Sequence, residues 1–198
     1  TLRRSSAASD VYKRQGLYMW GGIYAVLFSV STILSFENPI KNGFPEGPAE
    51  SYAKYSLSNV EFQNEIVGKE FQYSFYENKR FGPLQRGQSI SVTDQGGIWV
   101  GYGFIRKVRL SNAFHFNFDF FPGVYFKNNE EDLGGWLMFR SGLELEYIID
   151  PRWRVSLCYD HRSSGDIWEY NPGMETIKIS VIKTLSLIHI SEPTRPNE

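Results

Sequence analysis

Phe114-His115-Phe116-Asn117-Phe118-Asp119-Phe120 is the stretch whose pattern decides the fold. Four phenylalanines take every second position, and His115, Asn117 and Asp119 fill the gaps. Successive side chains of a β-strand point to opposite faces, so this segment has one aromatic face and one polar face. A helix would scatter the same rings around its whole circumference.

Working outward, the period of two persists. Leu143, Leu145 and Tyr147 alternate with Glu144 and Glu146, and Trp153, Val155, Leu157 and Tyr159 alternate with Arg154, Ser156 and Cys158. Upstream, Val100, Tyr102 and Phe104 alternate with Gly101, Gly103 and Ile105, and Phe71, Tyr73 and Phe75 with Glu70, Gln72 and Ser74. Gly101-x-Gly103 is no phosphate cradle, because no helix follows it; small residues inside a narrow barrel explain it better. Eight strands are expected, over residues 17–26, 64–76, 84–93, 98–109, 113–126, 134–148, 153–163 and 174–184. Residues 37–58 contain Pro39, Gly43, Pro45, Gly47 and Pro48, and read as a long loop. Short antiparallel links imply an all-β, eight-stranded up-and-down barrel, whose closure removes open edges.

Alternation alone does not say which face is inside. A soluble lipocalin-like carrier points the apolar face inward around a ligand; a membrane barrel points it at lipid. Three features favour a transmembrane barrel. The face opposite the aromatics carries ionisable groups of both signs, among them Arg140, Glu144, Glu146, Arg154 and Asp160. Strands of about 10 residues suit a tilted crossing of the hydrocarbon layer. Links after the second, fourth and sixth strands are short, those after the first, fifth and seventh longer, and the short link after the third departs from that rhythm.

The two ends stand apart. Residues 1–15 and 185–198 resemble translated sequencing-adapter sequence and are set aside as non-native tails, leaving 16–184 as the barrel domain. The first tail carries a net charge of +3 and the second −1, so the −1 of the whole chain becomes −3 for the domain. Without that tail's arginines the uncharged run 17–36 loses its likeness to a basic-then-apolar leader; a strand at 17–26 is expected, with a helix or a leftover signal peptide as the alternative.

Composition narrows the function. Aromatics at 16% beside 22% charged residues suit strands with a ring-bearing face. No basic stripe marks a nucleic-acid partner. The single cysteine, Cys158, rules out an intramolecular disulfide and leaves a structural zinc site without partners. His115 lies on the polar face and reads as structural. The loop 127–132, with Glu130, Glu131 and Asp132, reads as a solvated tip.

Chemistry is concentrated in Asp160-His161-Arg162-Ser163-Ser164 and the segment Asn171 to Thr176. His161 and Ser163 extend the apolar parity of Trp153 to Tyr159, with Cα atoms roughly 7 Å apart. Glu175 begins the apolar parity of the last strand, with Ile177, Ile179 and Val181. Paired as a hairpin, these strands bring a hydroxyl, an imidazole and a carboxylate to one face, the composition of a serine-hydrolase triad. A polar strand end leading into a loop is the plainer alternative.

His-x-Ser near the end of the penultimate strand, with a glutamate fourteen positions after the histidine, resembles the outer-membrane lipid A 3-O-deacylase (PagL) family. The resemblance implies a Gram-negative outer-membrane esterase with His161 as base, Ser163 as nucleophile, Glu175 as the acid of the triad and Asn171 in the oxyanion hole. It implies lipid A of lipopolysaccharide as substrate and partner, the 3-position ester as target, a site near the external leaflet, and no cofactor or metal. A homodimer is a further arrangement open to such a barrel. Ser164, where the family often has asparagine, and Asp166, where a backbone donor is expected, depart from the pattern. A non-catalytic barrel and the lipocalin-like carrier are the competing functions.

Overall fold

In the structure, a computed structural model, residues 45–186 are described, together with Tyr24 and Leu27. A short strand β1 (Glu46–Pro48) precedes eight long ones: β2 (Ser51–Phe62), β3 (Glu65–Phe81), β4 (Leu84–Thr93), β5 (Ile98–Arg109), β6 (Phe114–Phe126), β7 (Leu137–Ile148), β8 (Trp153–Ser163) and β9 (Met174–Ser186). Each long strand pairs antiparallel with its chain neighbour, and β2 pairs with β9, which closes the cylinder. β1 lies on the lower end of β3, Gly47 opposite Arg80.

Seven of the eight expected strands stand close to their expected places. The first does not. Most of residues 17–26 lie outside the described residues; Tyr24, which is described, is helical, and its phenol donates to the Asp119 carbonyl. The missing strand is β2, drawn largely from the stretch expected to be a loop. Its pattern is quiet because its inward face is Tyr52, Lys54, Ser56, Ser58 and Val60, and its outward face mixes Tyr55 and Leu57 with Ala53 and Asn59. The long link expected before β3 is therefore a tight turn through Gln63 (φ 55°) and Asn64 (φ 68°), a left-handed geometry that asparagine tolerates.

The apolar faces point outward. Leu57, Phe71, Ile90, Val100, Tyr102, Leu145, Leu157, Ile177 and Ile179 are exposed on the barrel wall, an arrangement suited to lipid. The interior is filled, which removes the ligand cup of the carrier alternative. Arg140 bonds Asp160 (2.9 Å) and Glu70 (2.9 Å); Lys178 bonds Asp160 (3.1 Å) and Gln72 (2.9 Å); Lys54 bonds Glu144 (3.2 Å). His115 joins the same interior, 3.1 Å from Glu146. Charges so far from water persist only when each has its counter-charge and its hydrogen bonds.

Apolar plugs close this polar column at both ends. Towards the β8–β9 loop, Val60, Phe62, Leu133, Met138 and Met174 are buried; towards the other end, Tyr52 stacks on Tyr76 at 4.4 Å. Trp99 is wholly buried in the wall's inner layer because Gly101 and Gly123 leave room for its ring. A Cβ on Gly101 would lie 2.2 Å from the indole, and one on Gly123 2.5 Å from it.

Candidate active site

β8 and β9 form a hairpin in which His161 and Glu175 are direct cross-strand partners. Directly opposed residues share a face of the sheet, and here it is the outward one that carries Tyr159 and Ile177. Glu175 Oε1 lies 3.0 Å from His161 Nδ1. This contact holds the ring and assigns the Nδ1 proton to the carboxylate side, leaving Nε2 as the free nitrogen. Although it faces outward, His161 is only 6% exposed. Ser141 on β7 is its partner on the other flank. It is the one small polar residue in an outward series of Leu137, Phe139, Leu143, Leu145 and Tyr147.

Ser163, two positions further along β8, is half-buried and pairs with Phe139 of β7. It shares the outward parity of His161 without a hydrogen bond to the imidazole. The expected hydroxyl, imidazole and carboxylate thus lie on one patch, with the His161–Glu175 link made and the Ser163 link open.

The loop after Ser163 is a tight left-handed turn. Gly165 (φ 61°) and Asp166 (φ 60°) are its central residues, and the Ile167 N–H bonds the Ser164 carbonyl at 3.3 Å. Asn171 fastens this turn from the far side. Its Oδ1 accepts from the Ser164 N–H at 2.9 Å and its Nδ2 donates to Asp166 Oδ1 at 3.0 Å. The amide expected to face an oxyanion is thereby turned towards the loop, and the departure at Asp166 supplies the group that occupies it.

A second loop, between β6 and β7, leans on this one. Gly134 (φ 90°) approaches the Tyr170 carbonyl so closely that a Cβ would sit 1.7 Å from it, and Gly135 abuts the Trp168 indole. Leu133 drops into the barrel mouth, 1% exposed. At the tip Lys127 pairs with Asp132 at 2.8 Å, and that ammonium, with the Gly134 N–H, holds the Asp132 carboxyl below the usual carboxylate range. Among the described residues no group of three or more His, Cys, Asp or Glu side chains gathers to hold a metal. Arg162, between His161 and Ser163, points inward: it is 1% exposed and bonds Glu70.

Comparison with known proteins agrees with the barrel fold. A family model described as lipid A 3-O-deacylase (PagL) matches residues 50–184. The crystal structure of the outer membrane enzyme PagL superposes with a TM-score of 0.54 at 8% identity, covering 68% of this chain and 99% of that one. A de novo designed transmembrane β-barrel superposes equally well, 0.54 at 8% identity, covering 70% and 98%. The solution structure of a designed barrel, TMB2.3, gives 0.50 at 10% identity, covering 71% and 98%. At such identities the structural likeness is one of fold, and residues 50–184 carry the family likeness. No curated protein matches the sequence.

Proposed function

Because this chain belongs to the lipid A 3-O-deacylase (PagL) family, we propose that it hydrolyses the ester at the 3-position of lipid A with Ser163 as nucleophile, His161 as base and Glu175 as the base's anchor. The observation that carries the reading is the 3.0 Å contact between His161 and Glu175 on the lipid-facing wall, beside Ser163. Such a contact has no use in a plain outer-membrane barrel, where a histidine and a glutamate among Tyr159, Ile177 and Phe139 would only weaken the apolar belt.

The site lies at the end of the barrel that carries the two long loops, β6–β7 and β8–β9, whereas the links β3–β4, β5–β6 and β7–β8 at the opposite end are short. In outer-membrane barrels the longer loops are external. The patch then meets the external leaflet, and the acyl ester reaches it without leaving the bilayer.

In the reaction Ser163 Oγ attacks the acyl carbonyl while His161 Nε2 takes its proton. Glu175 keeps the imidazole in the tautomer that exposes Nε2 and balances the imidazolium that forms. The imidazolium returns the proton to the sugar oxygen as the C–O bond breaks, and water, deprotonated by the same nitrogen, releases the fatty acid from Ser163. The open Ser163–His161 distance fits a resting site that tightens on substrate, as hydrolase sites commonly do. Asn171 contributes to the oxyanion site either by swinging Nδ2 away from Asp166 or by fixing the backbone turn at Gly165.

Mass spectrometry of lipid A from cells expressing the barrel domain tests the proposal. Loss of one hydroxyacyl chain that depends on Ser163 supports it. Unchanged lipid A in the presence of correctly folded protein overturns it and leaves a non-catalytic barrel.

A further inference from the structure

The patch contains a carboxylate that the triad does not use. Glu61 of β2 is the direct cross-strand partner of Glu175, as His161 is on the other side. Its parity is outward, because Val60 and Phe62 on either side are buried in the barrel mouth. A register shift in the β2–β3 pairing falls between Val60 and Glu61: Val60 faces Gly68, Glu61 faces Ile66, and Val67 is left over. Bulges of this kind re-aim side chains. Here the extra residue lets Val67 pack on the plug while Glu61 keeps its outward place.

Directly opposed side chains on one sheet face have Cβ atoms about 5 Å apart, and like charges there repel. Glu61 has no salt bridge to any described residue, whereas Glu175 has His161. Glu61, Glu175 and His161 thus stand in one row across β2, β9 and β8, two facing carboxylates and then the imidazole, with Ser163 two positions further along β8.

Resting on the proposed triad, we propose that Glu61 is a positioning residue: its charge presses the Glu175 carboxylate towards His161 and adds a second negative charge favouring the imidazolium formed during acyl transfer. Of the other ionisable groups around the patch, Tyr159 on β8 and Lys69 on β3 share its outward parity, Glu65 on β3 is opposite the inward Phe62 at the rim, Asp166 and Glu169 are in the β8–β9 loop, and Asp160 and Arg162 lie behind the wall.

The test compares Glu61→Gln, Glu61→Asp and the rim control Glu65→Gln with the parent in detergent micelles, using a short-chain acyl ester. Removing a negative charge beside an imidazole disfavours its protonated form, so Glu61→Gln moves the acid limb of the kcat profile to lower pH by roughly 0.5 unit and lowers plateau kcat about 2- to 3-fold, with KM unchanged. Glu61→Asp restores both, and Glu65→Gln moves neither. An acid limb that stays in place in Glu61→Gln, or moves equally in Glu65→Gln, overturns the proposal while a Ser163-dependent activity leaves the triad standing. Should the parent show no ester hydrolysis, the His161 ring resonances followed by NMR across the same pH range replace the rate. A Glu61→Gln midpoint equal to the parent's then overturns the inference independently of the triad.

Discussion

Glu175 and His161 sit fourteen positions apart in the chain and 3.0 Å apart in space, opposed across the β8–β9 hairpin with the glutamate oxygen on Nδ1. That bond makes a lipid-facing histidine chemically usable. Glu175→Gln keeps the shape and loses the charge and the tautomer preference, so kcat falls by about 10²–10⁴-fold while the barrel's stability is unchanged. Turnover of a lipid A or short-chain ester substrate, beside heat-modifiable gel migration, checks both halves.

Ser163→Ala removes the proposed nucleophile from a half-buried rim position without disturbing the strand. Activity is expected to fall at least about 1000-fold, and His161→Ala to match it, with the double variant no worse than either single one because the residues act as a unit. Lipid A mass spectra and single-turnover rates measure this.

Asn171 and Asp166 predict opposite signs. Asp166→Ala frees the Asn171 Nδ2 for an oxyanion and is expected to hold or raise kcat. Asn171→Ala loses both the donor and the tie to the Ser164 N–H and lowers kcat about 100-fold, the scale of one missing oxyanion donor. Equal losses in the two variants would identify Asn171 as a loop fastener alone.

Inside the barrel, Arg140→Ala leaves Glu70 and Asp160 facing each other with their shared cation removed. The expected loss is about 3–5 kcal/mol, read from urea unfolding of the refolded barrel in detergent. Adding Glu70→Gln and Asp160→Asn to the same chain deepens the loss, because the buried Arg162 and Lys178 then lose their counter-charges.

Gly123→Ala tests the seat of Trp99. With a Cβ 2.5 Å from both the indole and the Val100 carbonyl, the wall must shift, and a destabilisation of about 1–3 kcal/mol is expected in the same unfolding assay.

The parts legible in the sequence were those in which one face is strongly apolar. Phe114 to Phe120, Val155 to Tyr159 and Ile177 to Val181 announce strands, and the same count of two places His161, Ser163 and Glu175 on one side. β2 escaped because its inward face is serine and lysine, which a filled polar lumen accepts but a hydrophobicity pattern does not register, and because prolines crowd the residues just before it. Glu61 went unnoticed for the same reason: a residue's cross-strand partner has no meaning until its strand is placed. The Asn171–Asp166 bond depends on a left-handed turn at Gly165 and Asp166, a conformation that no periodicity encodes.

The pairing of β2 with β9 joins residues as far apart as Ser51 and Ser186. It is the most distant contact in the cylinder and the costliest in chain entropy, so it forms after the neighbouring hairpins. Glu61 stands on one lip of this join and Glu175 on the other. A partly zipped chain exposes the histidine and serine without their complete electrostatic surroundings. On the proposed reading the β8–β9 hairpin holds His161, Ser163 and Glu175 before the wall is sealed, and the last seam adds only Glu61, so closure tunes the site and does not create it.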